Sequence, residues 1–210
     1  MDYFCIFAFC YYGASLLCAI GDFYFPEYRN TNKQENVLSD YKKIHNQISK
    51  NMILSFLVFY LFENSILISN NIKNNIYRYN TFTFLFSWLL LADLFFYGFH
   101  RLVHTPKLYF LHKKHHEYRY PYGYAAIYCG YIELVLGNLF PLLVPCYLLD
   151  IPDELVRNLI TFSTIWTIVV SHSSLQNIDI KHNIHHQKLK YNYGLFITDY
   201  IFDTYYKKKI

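Results

Sequence analysis

The residues able to do chemistry are histidines, and nine of the ten are placed where they can act together. His100 and His104 form an HxxxH pair; His112, His115 and His116 form HxxHH; His182, His185 and His186 repeat that spacing. On a helix, positions three and four apart share a face, so each cluster is expected to point its imidazoles at one place. His172 closes an apolar block and joins them, while His45 stands alone in a polar stretch and reads as solvated. Imidazole nitrogen suits iron, zinc, copper and nickel, and nine such ligands exceed what one ion can use, so two metals are expected. Arg101, Lys113 and Lys114 lie beside the clusters and are expected to keep the imidazoles neutral, with nitrogens free for metal. Asp93 shares a helical face with Tyr97, His100 and His104, and is expected to orient a ligand histidine from behind.

These clusters need elements to carry them, and those elements are apolar. Residues 4–20, 52–70, 81–99, 125–149 and 155–171 are five blocks of spanning or near-spanning length, the last two separated by the turn at Pro152. Residues 4–20 read as an uncleaved anchor, because Asp2 and no basic residue precedes them. Residues 21–50 read as an exposed loop or surface helix. With five spans, the loops on one side of the membrane hold sixteen Lys and Arg and those on the other hold three. That bias predicts that the clusters and the C-terminus face the cytoplasm. The expected fold is all-α: an integral membrane helical bundle with a cytoplasmic, histidine-rich helical cap. Residues 1–99 would be membrane helices with the polar loop 21–50, and residues 100–210 the histidine region with a hairpin over 125–171.

Other classes are disfavoured. A net charge of +4, scattered along the chain, gives no footprint for nucleic acid. The five cysteines all lie in apolar stretches and none forms CxxC, which argues against disulfides and zinc fingers. A metal transporter would place histidines along its spans, whereas these lie mostly in the segments between them.

The pattern HxxxH, HxxHH, HxxHH behind membrane spans resembles the fatty acid hydroxylase and sterol desaturase superfamily, the membrane histidine-box di-iron oxygenases. The likeness runs from Asp93 to Thr204. Asp93-Leu94-Phe95-Phe96-Tyr97-Gly98-Phe99-His100-Arg101 resembles the approach to the first box, and Pro121 to Ala126 with Glu133 the segment after the second. Asn192-Tyr193-Gly194 follows the third box, and Asp199 to Thr204 resembles a closing D-x-x-F-G-T nearest the C4-methylsterol oxidase branch. The resemblance implies two irons held by the nine histidines, with zinc able to replace them in purified protein, and Asn192 acting beside the ligands. It implies O2 as oxidant, electrons from NAD(P)H through a cytochrome b5-type donor and its reductase, and a sterol or fatty-acyl lipid hydroxylated or desaturated. Cys129-Gly130-Tyr131 stands where many relatives carry A-H-P, and Asp203 where the ending carries Gly. These departures keep an alternative open: an inactive, metal-binding relative serving as a membrane scaffold or lipid binder. The final Lys207-Lys208-Lys209-Ile210 resembles a dilysine retrieval signal and points to the endoplasmic reticulum.

Overall fold

The computed structural model describes residues 2–25, 37–72, 80–173 and 181–207, with the side chains of the second range given for residues 39–66. The described residues are helical, with no strand among them. Helix α1 runs Asp2–Tyr24, α2 Val37–Ile72 and α3 Thr81–Val103. A stretch of short 3-10 turns follows, at Tyr109–Leu111, His115–Glu117 and Gly123–Ile127. Helix α4 covers Tyr131–Leu148, and α5 covers Asp153–Ile165 and continues as a π-helical turn over Trp166–Ser171. Two short helices close the chain, α6 at Lys181–Lys188 and α7 at Thr198–Ile201.

Helix α1 shows how the bundle meets its surroundings. Tyr3, Phe7, Tyr11 and Ala14 recur at helical spacing and are buried against α5, α2 and the Gly123–Ile127 turn. The opposite face is also apolar: Phe9 is 81% exposed and Leu17 69%. A helix that is apolar on both faces needs an apolar solvent on the outer one. Among the described residues three helices are long and apolar enough to cross a membrane, namely α1, α3 and α4. The five-block expectation is therefore met only in part. The block 155–171 lies in α5, whose first turn carries Asp153, Glu154 and Arg157, and the block 52–70 runs past the last α2 side chain described.

Helix boundaries follow local chemistry. The side chain of Asn80 caps α3 by accepting from the Phe82 amide at 2.9 Å, and α3 ends at His104, two residues before Pro106. Pro141 has no amide to donate inside α4, and the chain accommodates it with a π turn over Leu134–Leu139, where the Phe140 amide reaches back to Val135. Of the expected polar loop 21–50, residues 21–24 complete α1 and 37–50 open α2, so the surface-helix alternative is the one that forms there. Ile44 and Ile48 supply the reason: they sit four apart within the polar stretch and are fully buried.

Candidate metal centre

Four segments bring the nine histidines together. The C-terminal end of α3 supplies His100 and His104, the turns supply His112, His115 and His116, and α6 supplies His182, His185 and His186, with His172 directly after α5. The second cluster is not on an α-helix as the spacing suggested. Its residues sit in turns, with the His115 and His116 amides bonded to the His112 carbonyl at 3.0 and 3.4 Å. Those bonds help to hold His112 and His116 on one side.

The nine do not group as the sequence clusters do. His100, His104, His112, His116 and His185 form one group, and His115, His172, His182 and His186 a second. Each HxxHH is split: its first and last histidines stay together, and its middle one crosses to the other group. His45 joins neither. It is exposed, as expected, but its Nδ1 lies 2.6 Å from the hydroxyl of Tyr124.

Within the first group the Nε2 atoms of His100 and His112 lie 3.1 Å apart, His112 and His116 2.9 Å, His104 and His116 3.2 Å, and His104 and His185 2.9 Å. In the second group His115 lies 3.3, 3.4 and 3.2 Å from His182, His172 and His186. Many of the outer nitrogens are already committed. Nδ1 donates to the carbonyl of Tyr193 from His100, Thr167 from His172, Tyr191 from His185 and Tyr118 from His186, and to the Glu133 carboxylate from His112. His100 and His112 therefore face each other through bare Nε2 lone pairs, an arrangement that repels unless a cation lies between. Nitrogens held about 2.0–2.1 Å from one ion stand about 2.9 Å apart at a right angle and about 3.4 Å apart at the tetrahedral angle. The observed spacings match that range, so the donor set fits two transition-metal ions, five nitrogens for one and four for the other.

Burial keeps these imidazoles neutral. Desolvation is the main cause, pulling His104 and His172 down to about 4 and His185 to about 3. His115, His116, His182 and His186 are lowered by burial and then by one another. Arg101, Lys113 and Lys114, expected to supply this effect, are exposed and turned elsewhere: Arg101 donates to the Tyr97 hydroxyl and Lys114 to Gln47.

Asp93 does not touch a histidine, which corrects the expectation from helical spacing. Its carboxylate accepts from the amides of Leu195, Phe196, Ile197 and Thr198 and from the Thr198 hydroxyl, at 2.6–3.0 Å. It acts through this loop, which continues from the Tyr193 carbonyl that takes the His100 proton. Asp199 completes the loop by accepting from the Tyr193 and Gly194 amides and the Thr204 hydroxyl. Gly194 leaves no room for a side chain, since a Cβ there would lie 2.1 Å from Thr198 Oγ1 and 2.9 Å from Asp93 Oδ1. Asn192 also acts through backbone. It takes a left-handed φ of 58° between the two carbonyls that orient His185 and His100, and its side chain bonds the Lys181 carbonyl and the Tyr206 amide. Asp203, where the D-x-x-F-G-T pattern has Gly, is likewise left-handed at φ 50°. Glu133 and Asp199 are the contributors that the sequence reading left without a role. Glu133 had one signal: a carboxylate inside an apolar block costs energy unless it has a task.

A cavity of about 780 Å³ opens beside the histidines. Phe7, Tyr11, Trp88, Phe96, Leu139 and Ile168 are among its walls, and His100, His112, His115, His172 and His182 face it. A long apolar molecule lying there would place its carbons beside both groups.

The comparisons agree with this architecture. The fatty acid hydroxylase family matches residues 85–204, more than half of the chain, and the chain belongs to that family. It is similar to the Delta(7)-sterol 5(6)-desaturase of Eremothecium gossypii, 34% identical over 122 residues, covering 53% of this chain and 33% of that protein. A fatty acid hydroxylase of Mycosarcoma maydis is 44% identical over 57 residues, 27% of this chain and 15% of that one. The Delta(7)-sterol 5(6)-desaturase of Candida albicans is 31% identical over 122 residues, 53% of this chain and 30% of that one. These matches thus span a third or less of each relative's length. No solved structure matches the chain.

Proposed function

We propose that this chain is a membrane-bound di-iron oxygenase that hydroxylates or desaturates a C–H position of a sterol or fatty-acyl lipid. The observation that carries the reading is the convergence of nine histidine nitrogens, in two groups, on the edge of an apolar cavity. Two bound irons would supply the activation of O2. Zinc in their place would fill the same nitrogens without redox chemistry. In hydroxylation one oxygen atom enters the C–H bond and the other leaves as water, taking two electrons and two protons. Desaturation removes two hydrogens from the lipid and sends both oxygens to water with the same two electrons and two protons. NAD(P)H, through a reductase and a cytochrome b5-type donor, is the proposed electron source.

The residues of the chain do the rest. His100, His104, His112, His116 and His185 would hold one ion, and His115, His172, His182 and His186 the other. The aromatic walls exclude water and lay the lipid along the centre. Residues 1–99 would act as membrane helices and 100–210 as the histidine-bearing region, including the 125–171 hairpin. With five spans, the excess of Lys and Arg on one side would orient the centre toward the cytoplasm. The dilysine reading of the C-terminus adds the endoplasmic reticulum, although its last three residues lie outside those described.

A second reading is favoured by the departures from the pattern that this chain resembles, at Cys129-Gly130-Tyr131 and Asp203. In that case the chain binds metal and lipid without turnover. The deciding experiment measures metal content of detergent-purified protein, then lipid oxidation with O2 and the reducing system, for wild type and His115→Ala. About two irons and an oxidised lipid, both diminished in the variant, support the oxygenase. Metal without product favours the scaffold, and no metal sinks both.

A further inference from the structure

Among the described residues, Glu133 is the carboxylate that pairs with histidines of this centre, and it pairs toward both groups. Its Oε1 lies 2.7 Å from Nδ1 of His112, in the five-histidine group, and 4.0 Å from Nδ1 of His115, in the four-histidine group. Its other oxygen, Oε2, is buried without a partner, and so is Nδ1 of His115. A buried orphan acceptor and a buried orphan donor cost free energy where they stand. Here they sit on neighbouring side chains, with the Glu133 carboxylate 4.0 Å from His115 Nδ1, and a hydrogen bond between them would satisfy both.

We infer that Glu133 is a positioning residue that ties the two metal sites together. One carboxylate oxygen takes the Nδ1 proton of His112, and the other takes that of His115. Each imidazole is then fixed in the tautomer that leaves Nε2 bare for metal. Four of the other histidines rely on backbone carbonyls for this purpose. Among the described residues, Glu133 is the one carboxylate that reaches a histidine of each group. The backbone holds it there. Glu133 sits where the first turn of α4 passes into the π turn, and α4 packs closely on α3 at Gly137, where a Cβ would lie 2.9 Å from the Phe99 ring.

A carboxylate suits the task because, when ionised, it has two acceptor oxygens and no donor. A glutamine has one of each. In Glu133→Gln the amide oxygen keeps the existing bond to His112, and the amide nitrogen faces His115. That nitrogen donates, so it selects the His115 tautomer with the proton on Nε2, which cannot bind metal. The inference rests on the metal-binding reading above and adds to it a specific asymmetry.

The test is a cobalt(II) titration of the chelator-stripped, detergent-purified full chain, followed by visible absorption. Four-coordinate cobalt(II) absorbs far more strongly than ions with more ligands, so the two sites are read separately. Wild type is expected to take up two ions. Glu133→Gln is expected to weaken the four-histidine site by about 10- to 100-fold, with the five-histidine site changed by less than about threefold. Unchanged affinity at both sites, or equal loss at both, overturns the inference. Failure of the wild type to bind cobalt overturns the metal reading itself, a distinguishable result. Thermal unfolding of the stripped proteins checks the fold. Because Gln is nearly isosteric with Glu, Glu133→Gln remains informative even where Glu133→Ala fails to fold.

Discussion

The two HxxHH copies make the same division on different backbones. His112, His115 and His116 sit in turns, whereas His182, His185 and His186 sit on α6. In both, the pair four apart shares a group and the middle histidine crosses over. Their supports differ. In the turn copy, His112 leans on Glu133 and the surrounding segment on α2, through Lys114 with Gln47 and Lys43 with Glu117. The helical copy leans on the carbonyls of Tyr191 and Tyr118 and on the loop anchored by Asp93 and Asp199. The i, i+4 spacing keeps two histidines of each copy in one group, and the supports behind the two copies are of different kinds.

The strongest way to break this comparison is to remove the anchor behind the C-terminal loop. Asp93→Ala leaves four amides and a hydroxyl without their acceptor, at about 1–3 kcal/mol each for those that stay buried. The expected loss is more than about 4 kcal/mol, seen as a collapsed thermal transition and loss of both metals. Retention of the fold with full metal would mean that the loop is not what holds His100 and His185.

The crossing of the middle histidine is tested next. His115→Ala is expected to behave like His182→Ala and to lose about one metal equivalent, because each leaves three nitrogens in the smaller group. His116→Ala leaves four in the larger group and should retain more of its ion, as elemental analysis would report. If His115→Ala instead matched His116→Ala, the division into groups of five and four would be wrong.

A smaller effect follows from protonation. The histidines of the two groups that lie outside the spans have folded pKa values pulled down by burial, to about 4 for His104 and His172 and about 3 for His185. The unfolded chain takes up these protons near pH 6.5, so below that value it binds more protons than the fold does. Stability of the metal-free protein is then constant above about pH 6.5 and lost as pH falls from there toward 4. The slope reaches about 1.4 kcal/mol per pH unit for each such histidine. Melting curves of stripped protein between pH 8 and 4.5 check the sign, and a midpoint that rose on acidification would refute it. The smallest effect belongs to the tenth histidine. His45→Ala should change stability by less than about 0.5 kcal/mol and leave the metal content whole.

Much of this was legible from residue types. Apolar blocks of spanning length dictate membrane helices, because buried backbone must bond to itself in lipid. Eight histidines at helical spacings, with His172, point to a candidate metal centre, and the fatty acid hydroxylase likeness of residues 93–204 is carried by side chains alone. Spacing could not show the rest, since four of the decisive contacts are made by backbone carbonyls, at Tyr118, Thr167, Tyr191 and Tyr193, which every residue possesses. Helical geometry assigned Asp93 to a histidine because the two share a face. The structure gives it to the loop 195–198, where its carboxylate accepts from four backbone amides. Local spacing therefore determined that candidate metal ligands come in pairs four apart. Only the packing of α3, the turns and α6 around one point decided which of them meet, since that depends on segments more than 60 residues apart in the chain.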